Sequence, residues 1–498
     1  MSKRTGRILK VVCFLLIFVL LFHTVSSILQ EKYIAYDTLA ETYITDQFNH
    51  LEKNSIELAV LGSSQTVRGI SGMRLLENYG ISAFTPSTGK QPFMCTYYYA
   101  QRLLKTQQLK AAVIDVSMLY EPIKSQWFRR VADAAPWSID KLRLLWHYAK
   151  FRAKKDGTKE ALREMWSYLF PVMQFHDRWS TLTEDDFNYE ENGPIVFRGN
   201  TTRIARNVFD SFIIDGQAID PDTHPNKYEL PYFRRTLNLF RDAGVPVLLI
   251  KTPKLGWTRS KSQGVQEIAD EYGLDFLDFN TQELYDAAGF DINTDIADQE
   301  HLNFSGAFKL TDYLADYLTA RYDFTETVPT EQDQADLAAW HALLRKNDLM
   351  LTDDAEVFLS CALDKDCTMV VTVDAGRDIP GILKQKLAEM GFHTDLFGKE
   401  SYIGLMSGGT VTFEQTKKGT LDYDTVLPNG LALRTSFIES TPGWYPAQTW
   451  LHPVQEPEPA DPLAFAGTGI RIITLADRYP DIHREVVLAV ENDGIVIH

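Results

Sequence analysis

The feature that most restricts the fold of this chain is a short apolar run, residues 56–61 (IELAVL), that stops at Gly62-Ser63-Ser64 and is echoed four times downstream. The echoes lie at residues 81–85, 111–116 (AAVIDV), 245–250 (VPVLLI) and 274–279 (LDFLDF). An apolar run this short, ended by glycine and serine, reads as a buried strand meeting a loop. Amphipathic stretches at 74–79, 92–105, 230–243, 265–272 and 307–322 separate the runs. Strands alternating with helices predict a parallel sheet covered on both faces. Ligands of such sheets bind at the carboxyl ends of the strands, so the loops that start at Gly62, Thr85, Ser117 and Lys251 are expected to converge.

The crossover between the third and fourth runs, residues 121–225, is far longer than a connecting helix requires. Its helical patterns (IDKLRLLWHYAKFRAKK, KEALREMWSYLF) predict a helical insertion over the strand ends. With 498 residues there is chain for more than one core, at about 150 residues per domain. Residues 325–348 read as an acidic, alanine-bearing connector with a short helix of its own. Residues 349–498 change texture to short alternating strands, one helix at 379–390, and many glycines and prolines over 404–462. The organisation expected is therefore 1–30, a sheet domain at 31–324 with a helical-looking lead over 31–54, the connector, and a smaller β-rich α+β domain at 349–498.

Residues 1–30 stand apart. Lys3, Arg4, Arg7 and Lys10 precede the apolar run 11–22 (VVCFLLIFVLLF), and no acidic residue follows through Leu29. A basic head on an apolar stretch is an export signal, and residues 8–29 are long enough to span a bilayer with some tilt. Val25 and Ser27 make only a weak cleavage site, so an uncleaved single-pass anchor is expected. The basic flank keeps the N-terminus cytoplasmic and sends everything after Gln30 outside. Acidic residues outnumber basic ones by 67 to 50, a net charge of −17, the wrong sign for neutralising phosphates along a nucleic acid.

Cys13 lies in the expected anchor, and Cys95 reads as a buried small hydrophobe rather than a nucleophile. Cys361 and Cys367 flank a polar turn. They can close a small disulfide loop, although sequence does not establish that their Cβ atoms meet.

Two segments at opposite ends of the sheet domain carry candidate chemistry: Gly62-Ser63-Ser64, and Asp298-Gln299-Glu300-His301 ahead of the last helix. A serine hydroxyl is a weak nucleophile until an imidazole takes its proton. The imidazole needs a carboxylate to fix its tautomer and to stabilise the imidazolium. Three residues apart in a turn, Asp298 and His301 can reach each other. Ser64 at a helix entry can offer its own N–H to an oxyanion. The plain structural alternative is that Ser64 caps a helix and that Asp298 and His301 form an ordinary polar turn.

Read together, Val60-Leu61-Gly62-Ser63-Ser64-Gln65 and Asp298-Gln299-Glu300-His301-Leu302-Asn303-Phe304-Ser305-Gly306-Ala307 resemble the paired blocks of the SGNH (GDSL-like) hydrolase superfamily, and in particular its membrane-anchored members from cell-envelope gene clusters. Lys251-Thr252-Pro253 and Phe175-His176-Asp177-Arg178-Trp179 strengthen that similarity, which covers about residues 56–322. The resemblance implies a three-layer, flavodoxin-like α/β fold, with Ser64 as nucleophile, His301 as base and Asp298 as its partner. Family members also carry a block-two glycine, a place Gly89 can fill, and a Gly-x-Asn-Asp block whose asparagine helps hold the oxyanion. Here the third run ends in Asp115-Val116-Ser117 without that asparagine, which leaves Ser64, Gly89 and Ser117 as oxyanion candidates.

His176 and Trp179 are candidates for sugar contact, with packing of an insertion helix as the alternative. Lys251 and Thr252 are candidates for an anionic or hydroxylated substrate, with a solvated turn as the alternative. In the C-terminal part, residues 367–374 (CTMVVTVD), the helix before Gly391-Phe392, Ser401-Tyr402-Ile403-Gly404 and residues 467–473 resemble the interleukin-like EMT inducer domain, a module suspected of carbohydrate binding. Its Gly-x-Gly-Ile is not a dinucleotide fingerprint, because no helix opens after it.

The expectation is a membrane-anchored extracytoplasmic serine esterase or O-acyltransferase that needs no cofactor or metal and acts on acylated envelope polysaccharide. The resemblance adds a membrane-bound O-acyltransferase as partner. The rival is a non-catalytic protein that uses the same scaffold to hold glycan or assemble a synthase.

Overall fold

The computed structural model describes residues 3–30, 44–183, 186–187, 197–464, 469–476, 482–492 and 494–498. The first part of the expected lead, 31–43, and Gly467-Thr468 of the late glycine motif lie outside them. The chain divides into two compact units, Met1–Ala339 and Trp340–His498.

The first unit opens with α1 (Lys3–Leu29). Its stretch Lys10–Leu29 is long and apolar enough to cross a membrane, a length of about 30 Å at 1.5 Å per residue. The sheet follows, with β1 (Leu58–Leu61), β2 (Ala83–Phe84), β3 (Ala111–Asp115), β4 (Val247–Lys251) and β5 (Asp275–Asp278) in the order β2-β1-β3-β4-β5. Every neighbouring pair is parallel. The connections reverse direction between β1 and β3, which opens a crevice at their carboxyl ends.

Side chains alternate across this sheet as the two-residue period requires. Ala59, Leu61, Ala112, Ile114 and Leu249 enter one core, and Leu58, Val60, Ala111, Val113 and Leu248 enter the other. Besides helical residues 44–49, the unit has α2 (Ser64–Gly69), α3 (Gly72–Tyr79), α4 (Phe93–Thr106), α5 (Ser125–Ala134), α6 (Ile139–Asp156), α7 (Thr158–Leu169), α8 (Val172–Phe175), α9 (Leu230–Asp242), α10 (Arg259–Tyr272), α11 (Gln282–Ala287) and α12 (Phe304–Thr319). Helices α4 and α9 supply Tyr99, Leu103, Phe233 and Leu237 to the first core, and α3 and α12 supply Leu75, Leu310 and Leu314 to the second. Each such leucine contributes roughly 1.5–3 kcal/mol by leaving water. Helices α5 to α8 form the insertion, and Phe128, Leu144 and Tyr148 extend the first core into it.

Helix α13 (Glu331–Leu351) runs through the division between the units and is longer than the short helix expected there. The second unit has α14 (Ala355–Ala362), α15 (Gly381–Glu389) and a six-stranded antiparallel sheet of order β10-β9-β8-β14-β15-β16. Its strands are β8 (Cys367–Val373), β9 (Ser401–Ser407), β10 (Thr410–Lys417), β14 (Ile470–Ala476), β15 (Ile482–Glu491) and β16 (Gly494–Ile497). A three-stranded sheet of β11 (Leu421–Val426), β12 (Leu431–Phe437) and β13 (Ala447–Pro453) covers its other face through Val370, Ile403, Leu433 and Leu451. Cys361 in α14 and Cys367 in β8 are both buried and are not joined to each other, so the loop between them is not closed by a disulfide.

Candidate active site

Gly62 follows β1 directly because nothing larger fits: a Cβ there would stand 2.7 Å from Thr66 Cγ2 and 3.0 Å from Asp115 Cβ. The chain then enters α2. The cap is Ser63, whose hydroxyl accepts from the Gln65 N–H, so Ser64 is left in the first helical turn with its side chain free to face the crevice. No hydrogen bond among the described residues uses the Ser64 N–H.

The segment expected as a turn is a hairpin. Strands β6 (Ile296–Asp298) and β7 (His301–Leu302) pair so that Asp298 stands opposite His301, with Gln299 and Glu300 between them. Asn303 then caps α12 by accepting from the Gly306 N–H, and it donates to the carbonyls of Ala205 and Thr294. Gly306 is required by close approach, since a Cβ would lie 2.4 Å from the Asp295 carbonyl oxygen.

These two elements bring three of the expected residues together. His301 Nε2 is 2.8 Å from Ser64 Oγ, and His301 Nδ1 is 2.8 and 3.0 Å from the two carboxylate oxygens of Asp298. The carboxylate only accepts, so Nδ1 carries the proton and Nε2 is the acceptor for the serine hydroxyl. Burial pushes the His301 pKa below the ordinary histidine value, Arg68 adds to that, and the bond and charge of Asp298 oppose it. The ring is therefore uncharged at neutral pH. Burial would raise the Asp298 pKa, but His301, the Glu300 N–H and Arg203 outweigh it and hold the carboxyl down at about 2.

Several groups that hold this arrangement were not expected from sequence. Arg203 Nη1 donates to Asp298 Oδ2 at 2.8 Å, and the Glu300 N–H donates to Oδ1 at 2.8 Å. Arg203 arrives on the chain that returns from the insertion. There Asn200 donates to the carbonyls of Val67 and Ile70, and Gly199, at φ +83°, passes so close to Thr85 that no side chain fits. Glu300 is gripped by Lys90 at 2.7 Å and Lys254 at 3.1 Å, which overcome its burial and lower its pKa to about 2. Gln65 donates to the Glu300 carbonyl and accepts from Lys251 and Thr252. None of these has a local pattern beyond being a polar residue beside a motif, and only Gln65, a buried amide next to Ser64, offered a hint.

The oxyanion candidates differ in what they have free. Ser117 Oγ is buried with no hydrogen-bond partner among the described residues, whereas the Ser117 N–H donates to Asp115 at 2.9 Å. Ser87 Oγ accepts from the Gly62 N–H at 2.9 Å and so ties the loop after β2 to the loop after β1. Gly89 lies on that same loop, and its carbonyl accepts from Arg130 of the insertion at 2.9 Å.

Lys251 and Thr252 are neither a solvated turn nor an exposed subsite. Both are buried, and Lys251 Nζ donates to Gln65 and the Thr252 carbonyl. Burial lowers the Lys251 pKa to about 8. They brace Gln65 beside Ser64. His176 and Trp179 are exposed on the segment after α8, where His176 pairs with Asp177 and where neighbouring Arg178 donates to the Leu29 carbonyl at the end of α1. The structure joins neither residue to the Ser64–His301–Asp298 cluster. No cluster of His, Cys, Asp and Glu suited to a metal ion occurs among the described residues.

No protein-family model and no curated protein matches this chain. Among solved structures, a candidate acylhydrolase from Bacteroides fragilis NCTC 9343 aligns at 9% identity over 55% of this chain and 94% of its own, with a TM-score of 0.26. A gut microbial diltiazem-metabolizing enzyme aligns at 10% identity over 78% of this chain and 57% of its own, with a TM-score of 0.17. Likeness at this level bears on neither fold nor chemistry, which rest on the residues described above.

Proposed function

We propose that this chain is an SGNH-type serine esterase or O-acyltransferase, anchored by α1 with both units outside the cell, that acts on acyl esters of envelope polysaccharide. The observation that carries this reading is the unbroken hydrogen-bonded line from Ser64 Oγ through His301 to Asp298.

In this mechanism His301 Nε2 takes the Ser64 proton as Oγ attacks the acyl carbonyl. The tetrahedral oxyanion forms beside the Ser64 N–H, Gly89 and the unpartnered Ser117 hydroxyl, which are its candidate donors. His301 then returns the proton to the departing alcohol and leaves an acyl-Ser64. Water, or a sugar hydroxyl, gives up its proton to His301 and attacks the acyl group; the acyl–Oγ bond then breaks and His301 returns that proton to Ser64 Oγ, so the acceptor decides between hydrolysis and transfer. Asp298 stays ionised throughout, consistent with its low pKa.

Envelope glycan as substrate, a membrane-bound O-acyltransferase as partner and a glycan-gripping role for the second unit follow from the motif resemblance and from the export signal. The missing Gly-x-Asn-Asp asparagine favours the second reading, a non-catalytic glycan-holding or synthase-assembly protein. Turnover of p-nitrophenyl acetate by the purified full chain separates the two. Activity lost in Ser64→Ala supports the enzyme, and glycan binding without turnover supports the scaffold.

A further inference from the structure

The insertion carries a row of exposed tryptophans that packing inside this unit does not explain. Trp137, Trp146 and Trp166 are 56%, 57% and 47% exposed, and Ile139, Leu142 and Leu162 beside them are 48–69% exposed. On α6, positions 139, 142, 146 and 150 fall on one face at helical spacing, and on α7 positions 159, 162 and 166 do the same. Large apolar side chains grouped in this way mark an interaction surface rather than scattered exposure.

This surface is continuous with the apolar helix. Phe22 of α1 meets Phe170 edge-on at 5.8 Å, and Phe170 stacks on Trp166 at 5.5 Å. Ser26 Oγ accepts from the Val172 N–H at 3.0 Å, and the Leu29 carbonyl accepts from Arg178 at 3.0 Å. A cavity of about 630 Å³ between α1 and the insertion is lined by Val19, Phe22, Trp137 and Phe170. Tryptophan is enriched where a membrane-crossing segment meets the headgroups, because its ring is apolar and its N–H is wet.

The charges match the same partner. Asp140, Asp156, Glu160 and Glu164 on α6 and α7 are all paired with Lys105 or with neighbouring arginines. Lys150, Lys154, Lys155 and Lys159 are exposed and make no ion pair among the described residues. Lys150 lies over the Trp146 ring at 5.0 Å, and Lys141, itself buried, lies over Trp137 at 5.3 Å. Four such lysines in a chain of net charge −17 make this segment locally basic, and Lys150 and Lys159 fall on the same helical faces as Trp146 and Trp166.

We infer that α6 and α7 lie on the outer surface of the bilayer that α1 crosses, with Trp137, Trp146 and Trp166 in the headgroup region and the lysines on anionic lipid. This rests on α1 being a membrane span. Arg130 of α5, whose guanidinium holds the Gly89 carbonyl, ties the docked insertion to the loop that carries an oxyanion candidate.

The segment α1 contains no tryptophan, which makes tryptophan fluorescence a direct test. The full chain is reconstituted into vesicles of phosphatidylglycerol and phosphatidylcholine whose acyl chains are brominated near the headgroup, and flotation of the same sample reports insertion of α1. The expected result is quenching relative to unbrominated vesicles, reduced at least twofold in Trp146→Phe/Trp166→Phe and unchanged in Trp444→Phe of the second unit. Lys150→Glu/Lys154→Glu/Lys155→Glu, or vesicles of phosphatidylcholine alone, should weaken the quenching. Floating protein without quenching overturns the docking and leaves the anchor standing, and points to a protein partner for this face. Protein that does not float overturns the anchor and the docking together. Equal quenching with and without phosphatidylglycerol overturns the anionic preference.

Discussion

Arg203 donates to the oxygen of Asp298 that faces away from the Glu300 N–H, at 2.8 Å, so the carboxylate that orients His301 is itself held on both oxygens. A carboxylate fixed in this way keeps the imidazole in one tautomer and one rotation. Its charge is also partly neutralised by the guanidinium, which limits how far it can raise the His301 pKa against burial.

From this follows a pair of opposite shifts in the pH profile. Ester turnover should rise with pH as His301 loses its proton, with an inflection below the ordinary histidine value because burial disfavours the imidazolium. Asp298→Asn removes the group that opposes burial and should move the inflection further down. Arg203→Gln frees the carboxylate charge and should move it up, with kcat reduced and KM little changed. Measuring kcat/KM from pH 4 to 9 for the three proteins checks both signs; shifts in the same direction would contradict the electrostatic account.

Single substitutions in the cluster should be unequal in effect. Ser64→Ala and His301→Ala should each lower turnover on the order of 10⁴-fold or more, because such groups act as a unit, whereas Asp298→Asn should leave measurable activity. Circular dichroism and thermal melting should show folded protein in each case. Activity retained in Ser64→Ala would move the nucleophile to Ser63 or elsewhere.

Gly62→Ala should cost about 1–3 kcal/mol and lower activity, since the added methyl meets Thr66 and Asp115 at the entrance to α2. The backbone there is ordinary, so the effect comes from contact alone. Combining it with Thr66→Ser, which removes the Cγ2 that stands 2.7 Å away, should recover part of the loss in urea unfolding. No recovery would assign the requirement to the remaining contacts, Thr66 Oγ1 at 2.9 Å and Asp115 Cβ at 3.0 Å.

What could be read in advance depended on range. Each of the five strands appears as a short apolar run with a turn at its end; β1, β3 and β4 are buried along their whole length, whereas the edge strand β5 is read from Phe276 and Leu277 between two aspartates. Ser64, Asp298 and His301 were readable because each sits in a local pattern with a chemical reason for its residue types. Arg203 was not, since its place beside Asp298 depends on the return path of a long insertion through Gly199 and Asn200. Lys251 misled for a related reason: a lysine before Thr-Pro reads as solvated, and only the packing of α2 against β4 shows it enclosed on Gln65. The exposed tryptophans of α6 and α7 read equally well as core or surface, because helical spacing identifies a face and not what covers it.

Glu229 offers a test of the core away from this cluster. It is buried, accepts from the Phe93 N–H at 2.8 Å through one oxygen, and has no partner for the other among the described residues. Burial raises its pKa well above the ordinary value, with the Phe93 N–H opposing. Below the ordinary carboxyl range both folded and unfolded states hold the proton. Above it the unfolded chain releases the proton first, so wild-type stability falls as pH rises toward the folded-state value. Glu229→Gln should remove that dependence, so its urea midpoint relative to wild type should be higher at pH 8 than at pH 5. A constant difference would mean that Glu229 is already ionised in the folded protein.

The most direct measurement is to react the full chain with a fluorophosphonate, digest it and locate the adduct by mass spectrometry. An uncharged His301 at 2.8 Å should make Ser64 the labelled residue, with labelling abolished in His301→Ala and slowed below the His301 inflection. A folded protein that takes no label, or takes it at a serine other than Ser64, would contradict the catalytic reading.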